Sequence, residues 1–313
     1  MKLRNALGTA VGAVGTTALA NRLLQSRAGE LEPFLRGDQR TYRWRGFDIA
    51  YTEAGDPDDP DLVLLHGINA AASSHEFHAA FDRLAEEYHV IAPDLPGFGR
   101  TDRPPLLYSA SLMTTFVHDF LADESEDATV VASSLTGAYA AMAAREVDVA
   151  ELILVCPTDT SMGGRSVPRR SLLRAPVIGQ AIYNLVGSKA SIRHFHEDHG
   201  YYDMEKLTDD VVDYEWQSAH QPGARFAPAS FVSGFLDPRE DLGDVLEALD
   251  VPITLVWGED AEITPLADGR VLADEADATL AVFGDSLLLP HVEHPEEFVD
   301  VVRGETSTVD VTE

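Results

Sequence analysis

The sequence predicts an α/β protein whose mainly parallel sheet is covered on both faces by helices. Two observations carry this. Short, fully apolar runs such as "DLVLLHG", "ATVVASS", "ELILVCP" and "VPITLVWGE" read as strands buried on both sides. Between them lie stretches with apolar residues three and four apart, the period of a helix. The chain has 313 residues and is 45% hydrophobic, enough for one large domain with an insertion or for two domains.

The elements follow in order. "MKLRNALGTAVGAVGTTALANR" carries Lys2 and Arg4, then no charge until Arg22. Residues 1–30 form a leader with three readings. It is an amphipathic or poorly ordered helix, a membrane anchor, or a secretory signal with a cleavage site at Ala18–Ala20. The Gly8/Gly12 spacing is that of a helix-pairing motif, but a transmembrane helix would be longer and more apolar. "TYRWRGFDIAYTEAG" reads as two short strands with a turn at Gly46. "DLVLLHG" is a strand, "SSHEFHAAFDRLAEEY" helical, and "HVIAPDLPGFG" a strand and turn. "SASLMTTFVHDFLADE" is helical, "ATVVASS" a strand, "LTGAYAAMAAREV" a helix and "ELILVCP" a strand. Late in the chain come the strand "VPITLVWGE", the helix "PLADGRVLADEA", the strand "ATLAVFG" and the closing helix "HPEEFVDVVRG".

From Thr158 to about Asp250 this alternation stops. The segment is helical, aromatic and unusually basic for the chain. An all-helical insertion between two sheet strands reads as a lid over the strand ends, with a separate helical domain as the alternative. The expected organisation is therefore a leader (1–30), a core (40–157 and 250–303), a helical lid (158–249) and an acidic tail (304–313).

The net charge is −30, and only Lys2, Lys189 and Lys206 among the 23 basic residues are lysines. Spread along one compact chain, this charge repels itself at ordinary ionic strength and is screened by salt. The expectation is a surface built for multimolar salt. A phosphate backbone would be repelled, which excludes nucleic acid as a partner. Cys156 is the single cysteine, so no internal disulfide exists. Lying in an apolar run, it reads as a small buried hydrophobe rather than a thiol nucleophile.

The chemistry centres on "ATVVASSLTGAYAAMAA". A nucleophile elbow needs a strand-to-helix junction, with small neighbours so that strand and helix can approach. With Ser134 as nucleophile the flanks are Ala132, Thr136 and Gly137. With Ser133 they would be Val131 and Leu135, which would clash. Ser134 is the candidate nucleophile, against the ordinary reading of a serine helix cap. The Leu135 N–H, at the start of the helix, is a candidate oxyanion donor. The strand ending in His66–Gly67 offers a second at Ile68.

These features, with "VIAPDLPGFGRTDRP", "PITLVWGEDAEITPL" and "LPHVEHPEEF" in this order, resemble the α/β-hydrolase superfamily from about Arg45 to Arg303. The resemblance implies an eight-stranded, mostly parallel sheet flanked by helices, with an active site at the carboxyl ends of the strands. It also implies hydrolysis of esters or similar bonds without a cofactor, through residues in the order Ser…Asp/Glu…His.

Two positions depart from the family pattern. Aligning Trp257, Gly258 and Pro265 puts Ala261 where the family acid usually stands, between Asp260 and Glu262. Anchoring on Pro290, His291, Glu293 and Pro295 puts Leu288 at the family histidine. His291 then corresponds to a second, non-catalytic histidine, and His294 to a polar helix start. Without a histidine, an acid at 261 would have nothing to orient. Replacement candidates are Asp260 as acid and His220 as base, with His194, His196 and His199 also on the lid. Asp159 offers another acid. The spacing of the lid histidines matches no helical metal site.

Two functions stay open from the sequence. One is a serine hydrolase of small apolar esters or similar substrates with an unconventional base. The other is a catalytically degenerate member that binds an apolar ligand or a protein partner. No cofactor or metal is expected. The expected location is cytoplasmic, with membrane association through the N-terminus left open.

Overall fold

The computed structural model describes residues 2–161 and 163–305, with side chains from Val14 onward. Most of the predicted acidic tail lies outside the described residues, as do the side chains around Gly8 and Gly12.

Eight strands form one sheet: β1 (Asp38–Trp44), β2 (Phe47–Ala54), β3 (Asp61–Leu65), β4 (His89–Pro93), β5 (Ala128–Ser133), β6 (Val149–Val155), β7 (Ile253–Gly258) and β8 (Thr279–Phe283). Their spatial order is β1-β2-β4-β3-β5-β6-β7-β8. β1 and β2 form a hairpin whose two turn residues, Arg45 and Gly46, both have positive φ. β2 joins β4 antiparallel, and every pairing from β4 to β8 is parallel. This is the eight-stranded α/β-hydrolase architecture.

The apolar runs are buried for the reason the sequence suggested. Leu62, Val63, Leu64 and Leu65 are all fully buried, with alternate side chains feeding the cores on opposite faces of the sheet. Each such side chain contributes about 1.5–3 kcal/mol. The helix Ala110–Glu124 buries Met113, Phe116, Val117, Phe120 and Leu121, one stripe at helical spacing, and Ser109 caps it by accepting from the Leu112 N–H. "SSHEFHAAFDRLAEEY" is less regular than expected. It makes a 3₁₀ turn at Ser74–Phe77 and a single helical turn at Phe81–Leu84.

Register aligns the carboxyl ends of the central strands. Leu65 lies opposite Ala132, Ser133 opposite Val155, and Val155 opposite Val256. The chain leaving β3 at His66–Gly67 therefore emerges beside the chain leaving β5 at Ser134. Between β6 and β7 the chain forms only helices, from Val167–Arg174 to Leu242–Glu247.

The leader forms one helix, Lys2–Ala28. Among the described residues no helix is long and apolar enough to cross a membrane. The end of this helix is not an independent appendage. Asn21 is buried, donates to the Val177 carbonyl at 3.0 Å and accepts from Asn184 Nδ2 at 2.9 Å. Gln180 donates to Asn184 at 2.8 Å, and Arg225 donates to Gln180 at 2.7 Å. A polar chain thus ties the leader to the helical insertion.

Candidate active site

Ser134 sits at φ 53°, ψ −131°, between β5 and the helix Leu135–Ala143. For a non-glycine residue such a conformation costs about 1–3 kcal/mol and persists only where its surroundings over-determine it. Those surroundings are visible. The Ser134 N–H donates to the Val155 carbonyl at 2.8 Å, continuing the sheet past the last strand residue. The Thr136 hydroxyl donates to the His66 carbonyl at 2.7 Å, fixing the new helix to the end of β3. Gly137 lets that helix approach the end of β6, since a Cβ there would stand 3.0 Å from Pro157 Cβ.

The two proposed oxyanion donors flank this turn. Leu135 is the first residue of its helix, where N–H groups have no intrahelical acceptor. The Ile68 N–H follows Gly67 in the adjoining loop. His66 holds that loop. Its Nε2 accepts from the Leu95 N–H at 3.0 Å, so Nδ1 carries the proton toward the Gly67 carbonyl, 2.6 Å away. Burial lowers the pKa of His66. Asp94 holds the next turn, accepting from the Ser74 N–H and hydroxyl and from the Arg100 N–H, each at 2.8 Å.

Ala261 and Leu288, which the sequence pattern assigned to the family acid and histidine positions, have joined the apolar core. Ala261 is buried in the main hydrophobic cluster, and Leu288 packs against the same cluster. Asp260 is exposed, and its N–H donates to the Ser286 carbonyl at 3.1 Å. Asp159 accepts from the Leu242 N–H at 3.2 Å. No described contact joins Asp260 or Asp159 to Ser134.

Several histidines are also engaged, whereas the half-buried His199 packs edge-on against Phe195 and its Nδ1 has no hydrogen-bond partner. His220 is buried, stacks on Trp216 with ring centroids 4.6 Å apart, and lies 2.7 Å from the Trp216 carbonyl through Nδ1. Burial lowers its pKa. His194 is exposed beside Asp198. His196 is buried, with Nε2 2.9 Å from both oxygens of Glu215, and His75 meets Glu215 at 3.3 Å. Burial would raise the Glu215 pKa, but His196 and His75 outweigh it and hold it near 2. His294 is half-buried at the start of the closing helix. Cys156 is buried, and its thiol is pushed up to about 12 by burial, which suits an inert side chain.

One group that sequence reasoning missed holds the loop beside the Ser134 turn. Glu76 Oε2 accepts from the Gly67 N–H at 2.9 Å. A Cβ built on Gly67 would stand 3.1 Å from Ser133 Oγ, 3.3 Å from Glu76 Oε2 and 3.5 Å from Ser134 Cβ. Glu76 Oε1 lies 3.3 Å from Nε2 of the fully buried His291, in ion-pair reach but not aligned as a hydrogen bond. Burial pushes the Glu76 carboxyl up. The interactions with His291, the Ser133 hydroxyl and His66 outweigh it and hold the pKa near 2. Glu76 was hidden in the sequence because Ser73-x-x-Glu76 has the spacing of a helix capping box, which places its glutamate at a helix start.

The profile of the alpha/beta hydrolase family matches residues 62–301. The chain belongs to this family. An uncharacterized protein of Mycobacterium tuberculosis is 26% identical over 292 residues, covering 86% of this chain and 81% of the relative. The 2-hydroxymuconate semialdehyde hydrolase of Pseudomonas sp. (strain CF600) is 27% identical over 254 residues, covering 77% and 84%. Among solved structures, a serine hydrolase involved in carbazole degradation superposes with a TM-score of 0.70 at 21% identity, covering 86% of this chain and 98% of that one. A membrane phospholipase A superposes with a TM-score of 0.69 at 21% identity, covering 97% and 96%. At these identities the structural likeness concerns the fold.

Proposed function

We propose that this chain hydrolyses small apolar esters or similar compounds, with Ser134 as the nucleophile and an unconventional base in place of the family histidine. The observation that carries the reading is the positive φ of Ser134. A serine that only capped a helix would be extended and free of this strain. The names of relatives add small unsaturated oxo-acids to the substrate class, since two are hydrolases of 2-hydroxymuconate semialdehyde and of a 2-hydroxy-6-oxo-hexa-2,4-dienoic acid.

In this reading Ser134 Oγ attacks the carbonyl carbon and its proton passes to that base. Negative charge gathers on the carbonyl oxygen, facing the Leu135 and Ile68 N–H groups. The returning proton leaves with the alcohol, and water then releases the acid and frees Ser134. Glu76, which accepts the Gly67 N–H, holds the loop that carries the Ile68 donor. The helical insertion acts as a lid over these strand ends.

A second reading is favoured by one observation: Ala261 and Leu288 lie in the apolar core where the family pair would stand. On that view the site binds an apolar ligand without turning it over. A fluorophosphonate probe separates the two. Slow labelling, abolished by Ser134→Ala, supports the hydrolase. Absence of labelling, together with saturable binding of an apolar ester that is recovered intact, establishes the binding protein.

A further inference from the structure

Two stretches of this acidic chain contain no Asp or Glu at all. Residues 1–29 carry Lys2, Arg4, Arg22 and Arg27, and residues 160–196 carry six further Arg or Lys. These stretches hold ten basic residues against no acids. The remaining chain holds 13 basic and 53 acidic residues. Although far apart in sequence, they meet in the fold, where Asn21 of the leader helix bonds to Val177 and Asn184 at the two ends of the helix Ile178–Val186.

The same elements carry the exposed apolar side chains. Of 13 large hydrophobic residues exposed among the described residues, eight lie on these two stretches. Leu19 and Leu23 are 59% and 56% exposed on the leader helix, and Leu172 and Leu185 are 50% and 70% exposed on the insertion. Arg22, Arg27 and Arg169 are exposed among them. The helix Val167–Arg174 buries no residue.

We infer that the leader helix and the helices Val167–Arg174 and Ile178–Val186 together form a face that lies on an anionic lipid surface. Over the rest of the chain acids outnumber basic residues 53 to 13, and the exposed Arg36, Arg40, Arg43 and Arg45 are each ion-paired with an acid. A contiguous region that escapes this, and exposes leucines as well, is not built for bulk water. Charge complementarity selects the partner. Guanidinium groups pair with lipid phosphates, and the leucines enter the acyl boundary. The helix lies on the membrane and does not span it, consistent with its modest length of apolar residues. Salt weakens the ionic part and strengthens the apolar part, so the preference for anionic lipid narrows as salt rises.

The test is co-sedimentation of the full chain with vesicles of phosphatidylglycerol and of phosphatidylcholine. Binding to phosphatidylglycerol, at least about tenfold weaker to phosphatidylcholine, is expected. Leu172→Glu with Leu185→Glu should reduce binding at least tenfold, while Val271→Glu, at an exposed valine outside the face, should not change it. Circular dichroism confirms that each variant is folded. Three outcomes overturn the proposal: no binding to either vesicle, equal loss from Val271→Glu, or full binding by the Leu172/Leu185 variant. A vesicle-free dimer dissolved by the same two substitutions would also overturn it, assigning the face to a second copy of the chain.

Discussion

Glu76 and His291 face each other at 3.3 Å inside the protein, although the chain brings them from opposite ends of the α/β core. Glu76 also accepts the N–H of Gly67, so one carboxylate links the closing-helix region to the loop beside the nucleophile elbow. The pair has a consequence for stability. The pKa of Glu76 in the folded protein is held near 2, below its usual 4.5. A depressed carboxyl stabilises the fold above its unfolded value and loses that contribution as pH falls through the folded one. Glu76→Gln should therefore flatten the loss of stability between pH 4.5 and 2, by up to about 3 kcal/mol. Urea midpoints across this window measure it, and a curve parallel to that of the parent would sink the claim.

Restoring the family pair tests whether the elbow has kept its catalytic shape. Ala261→Asp with Leu288→His replaces two side chains of the apolar cluster, so some stability is lost. Labelling of Ser134 by a fluorophosphonate should nevertheless speed up by about 10²-fold or more, the usual worth of a positioned base. Either substitution alone should do much less. If the double variant folds and labels no faster, the backbone at Leu288 no longer points at Ser134.

His220 and Asp260 provide the contrasting case. His220 is stacked on Trp216, and Asp260 faces solvent. His220→Ala and Asp260→Ala should each change any measured esterase rate by less than about tenfold, below a general-base contribution. A larger loss for either, in a folded variant, would return that residue to the site.

Docking of the leader rests on Asn21. Asn21→Ala removes two hydrogen bonds and leaves the buried Asn184 amide without its partner, at a cost of about 1–3 kcal/mol. In a double-mutant cycle with Asn184→Ala, followed by thermal unfolding, the two changes should be non-additive by about 0.5 kcal/mol or more. Strict additivity would show that the leader contact contributes nothing.

Salt dependence follows from the charge of −30. Transfer from multimolar to low salt should lower the melting temperature and loosen tertiary structure, because screening of like charges is withdrawn. An unchanged near-ultraviolet circular dichroism spectrum and melting temperature would refute the idea of a surface built for high salt.

The features that the sequence determined by itself are local ones. Apolar runs named the central strands because both faces of a parallel sheet are buried. The Arg45–Gly46 hairpin and the Ser134 turn were legible because their conformations depend on a few adjacent residues. The reading of Ala261 and Leu288 as replacements rests on their fixed neighbours in the sequence. The tertiary structure decided the rest, because it depends on pairs far apart in the chain. Glu76 reads as a helix-start residue until the fold brings His291 to it. His196 reads as a candidate base on the lid until the fold brings Glu215 to it and to His75, 140 residues from Glu215. The leader reads as separable until Asn21 meets Asn184 across 163 residues. Burial makes such pairs obligatory, since a charge or amide removed from water must find a partner. Which partner it finds is set by the packing of the whole sheet and its helices.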